Sequence, residues 1–94
     1  MEKIKSDKEL FKSITIRSHE HIADAIKRIR KLHGYSQAEL AKRTGLTQAT
    51  VSRVEGGSKK VEIGTLILIF AALDSDLIIT PRPKDEKSAI EGLF

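Results

Sequence analysis

The stretch Ser36 to Gly57, SQAELAKRTGLTQATVSRVEGG, constrains what this chain can fold into more than any other. Its spacing predicts two short helices joined by a tight turn. Ser36 followed three residues later by Glu39 has the pattern of a capping box: the hydroxyl satisfies an orphan N–H of the first turn, and the carboxylate reaches back to the cap. Leu40 and Ala41 then face inward, and Ala41 is small where a neighbouring helix must come close. Gly45 suits a left-handed residue at a helix end, Leu46 plugs the turn, and Thr47 suits the cap of the next helix. Val51 and Val54, three apart, are that helix's buried anchors. Two amphipathic helices of some other small bundle are the plainer alternative.

The order Gln37, Ala41, Gly45, Leu46, Val51, Ser52, Val54, Glu55, Gly57 resembles the helix-turn-helix of the phage-repressor and Cro-like family. The resemblance implies an all-α, lambda-repressor-like bundle whose helix from about Gln48 to Glu55 enters the major groove of DNA.

At 94 residues the chain holds one domain with a modest core, and self-association would help it materially. It has no cysteine, which excludes a disulfide framework, a thiolate nucleophile and a cysteine zinc site. No apolar run approaches a membrane span. The N-terminus MEKIKSDKEL lacks the apolar core of a signal peptide, so a cytoplasmic protein with no membrane partner is expected. Net charge is +4, distributed as +2 over residues 1–17, +4 over 18–73 and −2 over 74–94. The positive excess sits on the reading unit and its N-terminal arm, where attraction to phosphate would want it.

Four segments follow. Residues 1–17 form an arm in which Ser6 and Glu9 can cap a turn holding Leu10 and Phe11, and Ile14–Arg17 alternates as a short strand or extended arm. Residues 18–73 form the DNA-binding domain. Ser18 caps its first helix, which runs to about His33 with Ile22, Ala25, Ile26, Ile29 and Leu32 as the apolar stripe. Lys27, Arg28, Arg30 and Lys31 suit the negative end of that helix and, for the most part, a solvated face. Gly34 ends it, and Tyr35 packs over the turn. Glu62 to Leu73 is apolar all round, which one small bundle cannot cover by itself.

Asp74–Asp76 then turns. Leu77–Thr80 is strand-like and is stopped by Pro81 and Pro83, within a dimerising segment 74–83. A lone strand needs a mate. The candidates are Ile14–Arg17 or, preferred, the same strand of a second copy across a two-fold axis. Ile67, Phe70, Leu77, Ile78, Ile79 and Thr80 are the expected homodimer interface. Residues 84–94 form a charged tail ending in Leu93 and Phe94, flexible or a docking or degradation handle.

For contact with double-stranded DNA, Gln48 is the first candidate, since its amide matches adenine N6 and N7. Ala49 can touch a thymine methyl, Thr50 a base edge or phosphate, and Arg53 a phosphate or guanine. Ser52 serves packing or contact. Thr47 adds a hydroxyl at the cap. Ser36 and Gln37 open the first motif helix, a natural seat for phosphate. Lys59 and Lys60 follow the reading helix as further phosphate contacts. Glu55 is structural, pairing with a cation of the first helix. Two-fold dimers place such helices about 34 Å apart on a palindromic site.

Enzyme readings find no support. His19-Glu20-His21 is not a metal site, because i and i+2 positions of a helix do not share a face. No nucleophile–base set or phosphate-cradling glycine loop is present, and no cofactor or metal is called for.

The later stretch KVEIGTLILIFAALDSDLIITPRP, a helix running into a Pro-ended strand, looks like the C-terminal part of HipB-type antitoxins. That likeness covers roughly residues 18–83. It implies a repressor of its own operon that binds palindromic operator DNA as a dimer and neutralises a HipA-like Ser/Thr kinase toxin. The alternatives are a phage-type or restriction-control repressor without a toxin, or a protein-interaction adaptor on the same scaffold.

Overall fold

The computed structural model describes residues 13–82. The readings of Ser6, Glu9, Leu10, Phe11, Pro83 and the tail 84–94 lie outside the described residues. Among the described residues four helices carry the fold: α1 (His19–Leu32), α2 (Gln37–Thr44), α3 (Gln48–Glu55) and α4 (Ile63–Ala72). α2 packs on α3, α1 on α3, and α2 on α4.

The helix boundaries are set by local chemistry. The Ser18 hydroxyl accepts the His21 N–H at 3.1 Å and starts α1. Ser36 does the same for Glu39 at 3.0 Å, and Thr47 for Thr50 at 3.1 Å. Only half of the expected capping box forms, however. The Glu39 carboxylate goes forward to Arg43, 2.9 Å away and one turn on, where it meets a full charge. Gly45 closes α2 at φ +76, a left-handed conformation that costs glycine little.

Each helix supplies a fully buried side chain to one core: Ile26, Leu40, Val51 and Ile69 are all 0 % exposed. Ala41 is buried beside them, and Leu46 packs against the cluster from the turn. At full burial each large aliphatic contributes about 1.5–3 kcal/mol. Leu32 departs from the predicted stripe, since it is 39 % exposed. The inward face of α1 runs instead through Ala23, Ile26 and Arg30, at steps of three and four. Arg30 is thus buried and does not share the solvated face.

Ile14 and Ile16 pack against the core while Thr15 and Arg17 are exposed, the alternation of an arm laid along the domain. α4 buries Leu66, Ile69 and Phe70 and leaves Ile63, Ile67 and Leu68 at 66 %, 54 % and 42 % exposure. It ends at Asp74, the one non-glycine residue with positive φ (+53) among the described residues. Asp74 N–H bonds the Ala71 carbonyl at 3.1 Å and Ser75 N–H the Phe70 carbonyl at 2.8 Å, a Schellman ending.

No strand occurs among the described residues. Leu77–Thr80 belongs to no regular element and does not pair with Ile14–Arg17. A single copy offers it no mate, and an isolated extended segment has nowhere to place its backbone hydrogen bonds except water.

Candidate nucleic-acid interface

α3 is two-sided. Val51 and Val54 are 0 % and 2 % exposed and hold it to the core, while Gln48, Ala49, Ser52 and Arg53 are exposed. Positions 48, 49, 52 and 53 share one face of a 3.6-residue helix, so the four predicted readers point the same way. Thr47 and Thr50 join through their hydroxyls at 2.9 Å, which commits Thr50, half-buried, to the cap as well as to any ligand.

Beneath that face lies a buried charge network. Arg30 Nε donates to Glu55 Oε2 at 2.6 Å, and Arg30 Nη2 donates to Glu55 Oε1 at 3.0 Å. Arg30 Nη1 donates to the Tyr35 carbonyl at 2.7 Å, and Gln37 Nε2 donates to Glu55 Oε1 at 3.1 Å. The Arg30 and Glu55 side chains are 11 % and 2 % exposed. Among the described residues no buried side-chain nitrogen or oxygen lacks a partner. Such a pair contributes little net stability while both partners are present, and its loss by halves is expensive. Glu55 is therefore the structural residue it was expected to be. Arg30 is its cation, a role hidden in the sequence by its basic neighbours, although Arg30 falls one turn after Ile26 on the apolar stripe.

The phosphate candidates lie at the start of α2 and in the loop after α3. Ser36 is exposed at the start of α2, and because its oxygen accepts the Glu39 N–H, its own proton remains to be donated. Gln37 is half-buried, with one amide N–H given to Glu55. Lys59 and Lys60 are exposed in the loop after α3, where the Lys60 N–H bonds the Ser58 hydroxyl at 3.2 Å.

The dimer candidates divide. Leu77, Ile78 and Ile79 are 45 %, 77 % and 100 % exposed, and Ile67 joins Leu77 and Ile78 along an open groove of about 950 Å³. Phe70 differs from the expectation: at 5 % exposure it is an interior residue of the single copy that also lines the floor of this groove. It falls on the same face of α4 as Leu66 and Ile69, which are buried with it.

His33, placed by the sequence only at the end of the first helix, makes contacts that the sequence does not announce. Its Nε2 lies 3.0 Å from the Leu73 carbonyl, forty residues away, and its ring stacks on Tyr35 with centroids 5.2 Å apart. The Arg43 guanidinium covers the Tyr35 ring at 4.2 Å. His21 Nδ1 accepts the Arg17 N–H at 3.0 Å, a local contact at the foot of α1.

A family model described as helix-turn-helix matches residues 26–78. The HTH-type transcriptional regulator y4dL of Sinorhizobium fredii is 35 % identical over 63 residues, which are 67 % of this chain and 32 % of that longer protein. Antitoxin HipB of Escherichia coli O6:H1 is 30 % identical over 76 residues, 81 % of each chain, and antitoxin HipB of Escherichia coli K12 is 33 % identical over 64 residues, 68 % of this chain and 73 % of that one. Among solved structures, HipB in the HipA-HipB-O2-O3 complex superposes with a TM-score of 0.66 at 32 % identity, covering 70 % of this chain and 93 % of that one. HipB in its O4 20mer complex gives the same figures.

Proposed function

Because this chain belongs to the helix-turn-helix family and matches HipB antitoxins along most of both sequences, we propose that it is a dimeric, sequence-specific DNA-binding repressor and the antitoxin of a HipBA-type operon. The observation that carries the DNA-binding reading is the outward face of α3, with Gln48, Ala49, Ser52 and Arg53 exposed above a base pinned by Arg30, Gln37 and Glu55. An amide, a methyl and two hydrogen-bonding side chains on one helix face match what base edges in the major groove present.

In this reading Gln48 contacts adenine and Ala49 a thymine methyl. Thr50, Ser52 and Arg53 contact base edges or phosphate, and Ser36, Gln37, Thr47, Lys59 and Lys60 fix the register on the backbone. Two copies join through Ile67 and Leu77–Thr80 and present their α3 helices to half-sites one duplex turn apart, about 34 Å. A HipA-like Ser/Thr kinase is the toxin partner, as HipA is found with HipB in the solved complex.

Titration of fluorescent palindromic duplex against a scrambled duplex, over a salt series, tests DNA binding. Retention that is sequence-selective and falls steeply with salt is the expected result, and equal weak binding to both duplexes would refute it. A second reading is a regulator with no toxin, and the name of the y4dL relative, a transcriptional regulator, is compatible with either. Co-purification with the product of the neighbouring gene separates the two. A kinase-like partner held with nanomolar-range affinity supports the antitoxin, and a phage or restriction gene next door supports the other.

A further inference from the structure

The carbonyl of Leu73, the residue that caps the C-terminal end of α4, is held from two sides. Leu73 O accepts the Ser75 hydroxyl at 3.0 Å and lies 3.0 Å from His33 Nε2. A carbonyl can only accept, so His33 carries its proton on Nε2 in this contact, whichever charge state the ring is in. The ring is exposed to solvent on one side but braced on the other. It sits at the C-cap of α1, is stacked on Tyr35 at an interplanar angle of 23°, and Tyr35 is covered in turn by Arg43 of α2. Arg43 is tied along α2 to Glu39. A column of side chains thus runs from α2, the first helix of the reading pair, across the end of α1 to the carbonyl from which the chain leaves α4. Directly beyond that carbonyl, Asp74 takes a left-handed conformation and the exposed apolar residues Leu77, Ile78 and Ile79 follow.

We infer that His33 is a positioning residue for DNA reading: by holding Leu73 O it fixes the direction in which the segment 74–80 departs relative to α2 and α3, and so sets the distance between the two reading helices in the dimer. The inference rests on the dimer proposed above. The departure angle matters because each base pair advances a half-site by about 3.4 Å. A small rotation at residues 73–75 is amplified along the segment to its far end, and again through the two-fold axis to the partner's α3.

The test uses the full chain with His33→Ala, His33→Gln and His33→Asn. Glutamine places an amide N–H four bonds from Cα, as Nε2 does, whereas asparagine stops one bond short. Dimer dissociation is measured by sedimentation, and affinity is measured against palindromes whose half-site spacing changes in single base pairs, both well below the melting temperature of each variant. His33→Ala and His33→Asn are expected to weaken the dimer about 5- to 30-fold, as for one ordinary hydrogen bond lost in one or both copies, and to flatten the spacing preference. His33→Gln restores both. A spacing profile is a readout that general loosening of α1 would not change selectively. If the wild type dimerises and His33→Ala keeps its dimer constant and its spacing preference, or if His33→Gln behaves like His33→Ala, the inference fails alone. A wild type that sediments only as single copies overturns the dimer reading and this inference with it.

Discussion

Arg30 and Glu55 meet edge to edge, Nε to Oε2 at 2.6 Å and Nη2 to Oε1 at 3.0 Å, so that the middle of the bundle is joined to the last residue of the reading helix by a bidentate charged pair. Gln37 adds a third hydrogen bond to the same carboxylate from the first residue of α2. Three helices therefore share one carboxylate, and a change in the angle between α2 and α3 strains the Gln37–Glu55 hydrogen bond. A hydrophobic cluster tolerates sliding, whereas a paired buried charge admits few geometries. The candidate readers on α3 and the phosphate candidates on α2 are thereby tied to one buried carboxylate.

Removing one half of the pair should be costly. Glu55→Ala leaves the Arg30 guanidinium buried without its counter-charge, and a loss of about 3–5 kcal/mol is expected in urea or thermal unfolding. Replacing both partners, Arg30→Met with Glu55→Leu, should recover most of that loss. If the double variant were no better than Glu55→Ala alone, lost packing and not the stranded charge would be the cause.

The motif was the most legible part of the chain because its signals are local. Caps at Ser18, Ser36 and Thr47, the left-handed Gly45 and the anchors Val51 and Val54 are set by residues within one turn of each other. Glu55 was legible as structural because an acid has no place against phosphate. Its partner was not identified, because Arg30 stands among Lys27, Arg28 and Lys31, and only three-dimensional packing decides which of four cations turns inward. The His33 contact to Leu73 spans forty residues and follows no periodicity, so nothing in the chain announces it. Phe70 and Leu32 show the limit of reading an apolar stripe. The composition says that a helix is greasy, but where its neighbours end decides which greasy side chain is covered.

Base reading and phosphate attraction should separate by mutation. Gln48→Ala removes a neutral amide that can pair with one base, so it should cost about 1–3 kcal/mol on the preferred operator and flatten preference at a single position. The dependence of log K on log salt should not change, since no counterion is released by that side chain. An operator preference that survives Gln48→Ala would show that the amide reads no base.

Lys59→Ala should do the opposite. It removes a cation from each copy, weakening all sequences alike and making the salt dependence shallower by about 2 in slope for the dimer. Binding isotherms at four or five salt concentrations check it. An unchanged slope would put Lys59 away from the phosphates.

Asp74 occupies the position that glycine usually fills in a Schellman ending, at φ +53. Asp74→Gly relieves the crowding of Cβ in the left-handed region and should stabilise the fold by about 0.5–1 kcal/mol. For a domain this small that is a melting-temperature rise of about 2–8 °C. Thermal unfolding at fixed concentration checks it, and a fall in melting temperature would mean that the aspartate side chain has a role beyond the turn.

Ile79 and Ile69 provide the sharpest contrast, because one is 100 % exposed and the other 0 %. Ile69→Ala opens a cavity in the shared core and should cost about 2–5 kcal/mol of stability. Ile79 contributes nothing to the interior of a single copy, so Ile79→Lys should leave the unfolding free energy of the dilute monomer within about 0.5 kcal/mol of wild type. Across a two-fold pairing the same substitution brings like charges into proximity on neighbouring strands, where they repel. Sedimentation should then show single copies, and affinity for a palindrome should fall to that for an isolated half-site. A variant that unfolds at low concentration, or one that still dimerises and binds the full palindrome, would move the interface away from Leu77–Thr80.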